Sequence, residues 1–237
     1  KELIPVRRYM QIIFQDPYGS LNPRMKIKDI IREPLLIHKL AENKNQEEAK
    51  IMDLLEEVGL DDACANKYPH ELSGGQRQRI AIARALAVSP DFIVCDECVS
   101  SLDVSVQAQI INLLEDLKNK MDLSYLFISH DLSVTKHISD RIGIMYMGKI
   151  MEMADSEKIC SSPKHPYTKA LISSVPIPDP NFKREYIALA EEIPSPINVP
   201  PGCRFHTRCP YVMEKCRILE PELKEREEGW LVACHLL

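Results

Sequence analysis

Two short apolar runs, Phe92-Ile93-Val94-Cys95 and Tyr125-Leu126-Phe127-Ile128, each end in polar residues: Asp96-Glu97 after the first, Ser129-His130-Asp131 after the second. Runs of this length bounded by turn signals read as buried strands. The segment between them, Val104 to Met121, carries Val106, Ile110, Leu113, Leu114 and Leu117 at helical spacing, a stripe that serves the core and carries no chemistry. A helix crossing between two strands makes the strands parallel, and strand–helix alternation implies a mainly parallel sheet covered on both faces. Ligands of such sheets gather outside the carboxyl ends of the strands. Asp96 therefore stands where Mg²⁺ could be held, and Glu97 where an attacking water could be polarised; an acidic turn after a core strand is the plain alternative. His130 at a strand end reads by itself as a turn residue, with Asp131 as a helix cap.

A second feature lies upstream. Leu72-Ser73-Gly74-Gly75-Gln76-Arg77-Gln78-Arg79 puts a hydroxyl and two glycines ahead of a run with Ile80, Ile82, Ala83 and Leu86. A serine and free backbone N–H groups at a helix N-terminus form an anion site, although most such turns are only caps. Elsewhere, Arg7 to Phe14 reads as a strand followed by a Pro/Gly/Asn-rich loop, and residues 27–72 as mostly helical, with Ile51, Leu54, Leu55 and Val58 on one face and Gly59 as a stop. Arg141–Tyr146 and Lys149–Met153 read as strands around a Met147-Gly148 turn.

A chain of 237 residues with 45% hydrophobic content is long enough to bury roughly 70% of its unfolded surface. The net charge of −5 argues against a general nucleic-acid surface, which needs a basic patch. No apolar stretch approaches the ~20 residues that span a bilayer, so any membrane association in the part in view comes through a partner.

Taken in order, these motifs resemble the nucleotide-binding subunit of an ABC transporter. Leu72 to Gln76 is similar to the signature motif, Phe92 to Asp96 to the Walker B strand, Ser100-Ser101-Leu102-Asp103 to the D-loop, His130 to the switch histidine, and Gln15 in Phe14-Gln15-Asp16-Pro17 to the Q-loop glutamine. Gln15 to Arg24, Val104 to Gln109, His165-Pro166-Tyr167-Thr168 and Gly202-Cys203-Arg204-Phe205-His206 resemble the oligopeptide/dipeptide importer branch. The resemblance implies ATP and Mg²⁺ as ligands. It implies catalytic roles for Glu97, His130 and Gln15, nucleotide contacts from Ser73, Gly74, Gly75, Gln76 and Asp103, and Mg²⁺ contacts from Asp96 and Gln15.

The family's Walker A string, G-x-x-x-x-G-K-[ST], occurs nowhere in the chain, which has fourteen residues ahead of Gln15 and no initiator methionine. The expectation is that the numbering starts inside the domain, after the phosphate loop, and that this chain alone is inactive. The catalytic glutamate is followed by Cys98 where the family usually has proline, and Ser101 stands where alanine is common. Without proline's fixed φ, the turn after Glu97 is less rigid. Cys95 and Cys64 read as small core hydrophobes.

From Pro176 to Pro201 seven prolines mark an extended linker or arm. Beyond it Cys203, Cys209, Cys216 and Cys234 are spaced C-x5-C-x6-C-x17-C. Disulfides do not suit a reducing compartment. Zinc sites usually hold a tight C-x₂₋₄-C pair, which is absent, and His206 and His235 keep zinc open as ligands. Four thiolates suit a [4Fe–4S] cluster, which the importer resemblance also implies; inert thiols are the third reading.

The resulting expectation is an α/β chain. An ABC-type nucleotide-binding domain, mainly parallel sheet with helices on both faces, spans residues 1–162 and includes a helical subdomain over about 27–88. A helix and Pro-rich linker cover 163–201, and a Cys-rich C-terminal domain covers 202–237. The resemblance implies a peripheral subunit at the cytoplasmic face of the membrane that hydrolyses ATP to drive peptide import. Its partners would be a sister ATP-binding subunit, two transmembrane permease subunits and, indirectly, a peptide-binding protein, with no nucleic acid. The alternatives are an ABC ATPase of DNA repair or translation, or a binding module that does not hydrolyse.

Overall fold

The computed structural model describes residues 3–176, 194–195 and 197–237. The chain divides into two compact units, Lys1–His130 and Asp131–Leu237.

The first unit opens with helix α1 (Ile4–Tyr9) and strand β1 (Met10–Ile13). The strand expected from Arg7 is therefore shortened. Pro5 occupies the first turn of α1 and Arg7 and Arg8 its last, a favourable arrangement for a short helix because proline is preset at the start and cations suit the C-terminal end. Then come α2 (Pro17–Ser20), capped by Asp16, α3 (Ile27–Ile37) and α4 (Lys44–Glu57). Ile51, Leu55 and Val58 are buried in the expected row, while Leu54 is only half-buried. Gly59, at φ +68, takes the left-handed conformation that stops the helix. Two 3₁₀ turns, Asp62–Asn66 and Pro69–Glu71, lead into α5 (Gly74–Leu86). Ile80 and Ile82 of α5 are fully buried, each contributing roughly 1.5–3 kcal/mol.

Strand β2 (Phe92–Asp96), helix α6 (Val104–Met121) and strand β3 (Ser124–Ile128) follow as the sequence pattern requires. The sheet order is β1-β2-β3, all parallel, with Ile12 beside Val94 and Val94 beside Leu126. Ile13, Ile93 and Cys95 are buried on one face, whereas Met10, Ile12, Leu126 and Ile128 on the other are 38–50% exposed, so among the described residues this sheet is not covered equally on both faces.

The second unit contains α7 (Leu132–Ile138), capped by Asp131, then β4 (Arg141–Tyr146), β5 (Lys149–Asp155), α8 (Ser156–Ser161), α9 (Pro166–Ser174), α10 (Glu214–Ile218), β6 (Lys224–Glu227) and β7 (Trp230–Val232). Its four strands form an antiparallel sheet of order β4-β5-β7-β6. The sequence placed β4 and β5 around Met147-Gly148 but not the two tail strands that extend their sheet. The fold is thus α/β with both a parallel and an antiparallel sheet. The proline-rich linker expected over 176–201 falls for the most part outside the described residues.

Candidate functional site

Three polar residues lie just past the carboxyl ends of three neighbouring strands: Gln15 after β1, Glu97 after β2 and His130 after β3. Parallel pairing brings these ends to one edge. Gln15 Nε2 donates to Glu97 Oε2 at 2.8 Å, and His130 Nδ1 lies 3.5 Å from the same oxygen. The His130 side chain is 70% exposed and that of Glu97 30%, so the group opens to solvent on one side.

Glu97 is held by its backbone. Its N–H donates to Ile128 O at 3.0 Å, and its carbonyl accepts from Ser100 N at 3.0 Å and Ser100 Oγ at 2.9 Å. It sits at φ +47, a left-handed conformation that costs a non-glycine residue roughly 1–3 kcal/mol and persists where surrounding bonds over-determine it. The reversal aims the carboxylate at Gln15 and His130 instead of continuing along β2. Asp96 ends β2 beside Ile128 and is half-buried.

The signature segment is a capping box. Ser73 Oγ accepts from Gln76 N at 3.2 Å, and Gln76 Oε1 accepts from Ser73 N at 3.0 Å, a pairing worth ~1 kcal/mol. The cap reading therefore holds locally, and the N–H groups of Gly74 and Gly75, in the first turn, have no intrahelical acceptor. Gly75 also permits close packing: a Cβ there would stand 2.5 Å from Val106 Cγ1 of α6. Asp103 caps α6, accepting from Ser105 N at 3.1 Å, Val106 N at 3.0 Å and Ser105 Oγ at 2.6 Å. The Ser105 hydroxyl first, and then the Val106 amide, hold its carboxyl below the usual range.

Two arginines that sequence reasoning passed over tie the segment after Gln15 to the helix behind the signature. Arg84 Nη1 donates to Ser20 O at 2.6 Å, and the Arg77 guanidinium lies 5.5 Å from the Tyr18 ring centroid, within cation–π reach. Burial lowers the Arg84 pKa, and Glu33 opposes that effect. The sequence signal was available in the charged residues that interrupt an otherwise apolar helix.

The tail corrects an expectation. Among the described residues no group of three or more His, Cys, Asp or Glu side chains is disposed to hold a metal ion. Cys203 and Cys216 pack with Tyr146, Met151 and Phe205, with Cys209 against the same cluster, while Cys234 packs with Trp230, Ile142 and Val232. Burial pushes the Cys203 thiol up to about 11 and raises Cys209 and Cys234 as well, which disfavours the thiolates that metals require. His206 Nδ1 meets Cys203 O at 2.9 Å and His235 Nε2 meets Leu219 O at 2.9 Å, so both alternative zinc ligands are engaged by backbone carbonyls. The iron–sulfur reading does not hold, nor does the zinc one; the cysteines are small core residues.

A buried carboxylate instead organises this unit. Glu152 of β5, with no exposure, accepts from Lys164 N at 2.8 Å, His165 N at 2.9 Å and Trp230 Nε1 at 2.8 Å. His165, also buried, caps α9 by accepting from Tyr167 N at 3.0 Å, and burial lowers its pKa to about 4. The His165-Pro166-Tyr167-Thr168 motif is thus a packing device, with Tyr167 5.2 Å from Phe205 and 4.7 Å from Tyr146 between ring centroids.

Comparison with known proteins agrees with this architecture. The ABC transporter family model matches residues 1–100, and the model of the oligopeptide/dipeptide transporter C-terminal region matches residues 151–216. The oligopeptide transport ATP-binding protein AppF of Bacillus subtilis is 53% identical over 98% of this chain and 70% of its own length. The dipeptide transport ATP-binding protein DppF of Haemophilus influenzae is 52% identical over 96% of this chain and 69% of its own. A dimeric ATP-binding cassette solved in a post-hydrolysis state with ADP and Pi superposes with a TM-score of 0.58 at 29% identity, over 65% of this chain and 66% of that one. No described helix is long and apolar enough to cross a membrane. With about half of its residues identical to such relatives along nearly its whole length, the chain belongs to the family of ATP-binding proteins of oligopeptide and dipeptide ABC transporters.

Proposed function

We propose that this chain supplies the ATP-hydrolysing machinery that energises peptide import, as a peripheral subunit at the cytoplasmic face of the membrane. The observation that carries the reading is the convergence of Gln15, Glu97 and His130 at the carboxyl edge of one parallel sheet, with Glu97 Oε2 shared between the other two. Glu97 takes the proton of the water that attacks the γ-phosphate, His130 steadies the phosphate oxygens, and Gln15 reports their presence to the segment that Arg84 and Arg77 fasten to α5. Mg²⁺ bound with a nucleotide uses one or two protein oxygens, the rest coming from phosphates and water. Asp96 and Gln15 fit that modest demand, and the ion would neutralise charge on the β- and γ-phosphates. Ser73, Gly74, Gly75 and Gln76 would face the nucleotide of a sister subunit, with Asp103 beside that contact.

The helical segment over about 27–88 would meet one of two transmembrane permease subunits, which receive cargo from a peptide-binding protein. Identity of about half to peptide transport proteins across nearly the whole chain favours transport over DNA repair or translation. The test is ATP turnover in proteoliposomes containing the permease pair, a sister subunit and this sequence joined to a Walker A segment. Turnover stimulated by peptide-loaded binding protein supports the reading, and turnover indifferent to peptide overturns it.

A further inference from the structure

Strand β7 pairs with β5 only where Leu231 and Val232 face Met153 and Glu152, and the contact ends with Ala233 N donating to Met151 O at 2.9 Å. The first residues of β5 run on without β7 beside them. There, between β5 and residues 220–223, lies a cavity of about 330 Å³, at the small end of the roughly 300–1,000 Å³ usual for ligand pockets. Ile150, Met151 and Leu223 give it an apolar lining, and Leu223 is 38% exposed. Four charged side chains, Lys149, Arg204, Glu220 and Glu222, line the same space.

These charges are unequally matched. Lys149 Nζ pairs with Glu220 Oε1 at 2.6 Å, and the Glu220 carboxyl is held below its ordinary range chiefly by that hydrogen bond and least by Arg204. Arg204 Nη2 stands 3.7 Å from Glu220 Oε2, beyond hydrogen-bond length, and Arg204 Nε is shut off from solvent with no partner. A guanidinium carries five donors in a planar fork that matches a carboxylate, so Arg204 is the under-used cation of this space. Glu222 pairs at 2.9 Å with Lys224, but both side chains are more than half exposed; an ion pair so placed is weak and leaves the carboxylate open to a second cation.

We propose that this cavity binds a small zwitterion with an aliphatic body, an amino acid or dipeptide, its carboxylate taken by Arg204 and its ammonium by Glu222. The two cations and two carboxylates that line the space cancel, so a ligand of no net charge enters without leaving an uncompensated one, and each of its ends meets the opposite sign. Its aliphatic part covers Ile150, Met151 and Leu223, which adds apolar burial. Inorganic phosphate would engage Arg204 but would face two carboxylates and leave the apolar lining in water. Every group named belongs to the second unit, and no nucleotide chemistry enters, so the site stands apart from the proposed function.

The experiment follows urea unfolding of the 237-residue chain by the fluorescence of Trp230, its single tryptophan, beside equilibrium dialysis of radiolabelled leucine. Millimolar L-leucine or Leu-Leu should bind saturably and raise the unfolding midpoint with concentration, because a ligand of the folded chain stabilises it by mass action. Three probes should each bind at least about ten-fold more weakly, for want of one charged contact or of the apolar one: 4-methylpentanoate, which lacks the ammonium, 3-methylbutylamine, which lacks the carboxylate, and inorganic phosphate. Arg204→Gln and Glu222→Gln should weaken leucine by a similar factor, the second at a side chain 76% exposed, where folding is not at stake. Arg217→Gln, at an exposed residue that does not line the cavity, should leave binding unchanged. Absence of saturable leucine or Leu-Leu binding at these concentrations, phosphate as the tighter ligand, or leucine affinity unmoved by Glu222→Gln would overturn the site.

Discussion

Gln15 and Glu97, 82 residues apart in the chain, are joined by a 2.8 Å hydrogen bond at the edge of the parallel sheet. The bond exists because β1 and β2 are neighbours in register, Ile13 beside Cys95, so the residues beyond them meet. In a chain that also carries a Walker A loop, Glu97→Gln should lower ATP turnover by roughly 10²–10⁴, the usual worth of a positioned acid–base group, while nucleotide stays bound. Single-turnover kinetics checks this, and hydrolysis at the parent rate would remove Glu97 from its proposed role.

The 237-residue chain by itself should neither bind Mg-ATP tightly nor turn it over, because no G-x-x-x-x-G-K-[ST] string is present to cradle the phosphates. Calorimetric titration should show no saturable heat. Mg-dependent turnover at the level of a full-length relative, with contaminating ATPases excluded, would contradict the expectation.

Gly75→Ala offers a packing test. Alanine gains about 1 kcal/mol in helix propensity, but its Cβ would stand 2.5 Å from Val106 Cγ1, and overpacking costs about 1–3 kcal/mol. The substitution should destabilise the parent chain and stabilise a Val106→Ala background. Denaturant midpoints of the four proteins decide it, and the same sign in both backgrounds would refute the contact.

The run from Phe92 to Ile128 was legible because strands β2 and β3 and the stripe on α6 obey local periodicities that need no distant partner. Glu97 was legible for a related reason, as it follows β2 directly; Gln15 and His130, one residue further past β1 and β3, stood out only through the family resemblance. Arg7 to Tyr9 misread as strand because alternation over three residues is weaker evidence than Pro5 at a helix start. The four tail cysteines misread because spacing records neither burial nor the carbonyls that engage His206 and His235. Glu152 was invisible: a carboxylate in a strand announces itself only through partners 12, 13 and 78 residues away.

Removing that carboxylate should be costly. Glu152→Ala leaves two buried donors, His165 N and Trp230 Nε1, and the part-buried Lys164 N unpaired, each buried one worth about 1–3 kcal/mol, whereas Glu152→Gln retains an acceptor oxygen and should cost less. Trp230 is the single tryptophan, so intrinsic fluorescence during urea unfolding reports the second unit directly. Equal midpoints for parent and Glu152→Ala would show that the network contributes nothing.

His165 gives the second unit an acid limit. Its folded pKa is lowered to about 4 by burial, against ~6.5 for a free histidine. Between these values the unfolded chain binds the extra proton. Stability is therefore full above pH ~6.5 and falls as pH drops toward 4, by up to ~3 kcal/mol. His165→Asn, which retains an acceptor for the Tyr167 amide, should flatten this slope. An unchanged slope in tryptophan-detected unfolding would assign it to other groups.

The Glu152 network also bears on inheritance. Its acceptor lies on β5 and its donors lie before α9 and on the last strand, so any recombination breakpoint between residues 152 and 230 separates them. A chimera that takes its C-terminal segment from a relative should keep the network only where that segment brings a side-chain donor at position 230, since the amides at 164 and 165 come from any residue but proline. Glu152 and Trp230 thus count as one unit in any such exchange, although 78 positions lie between them.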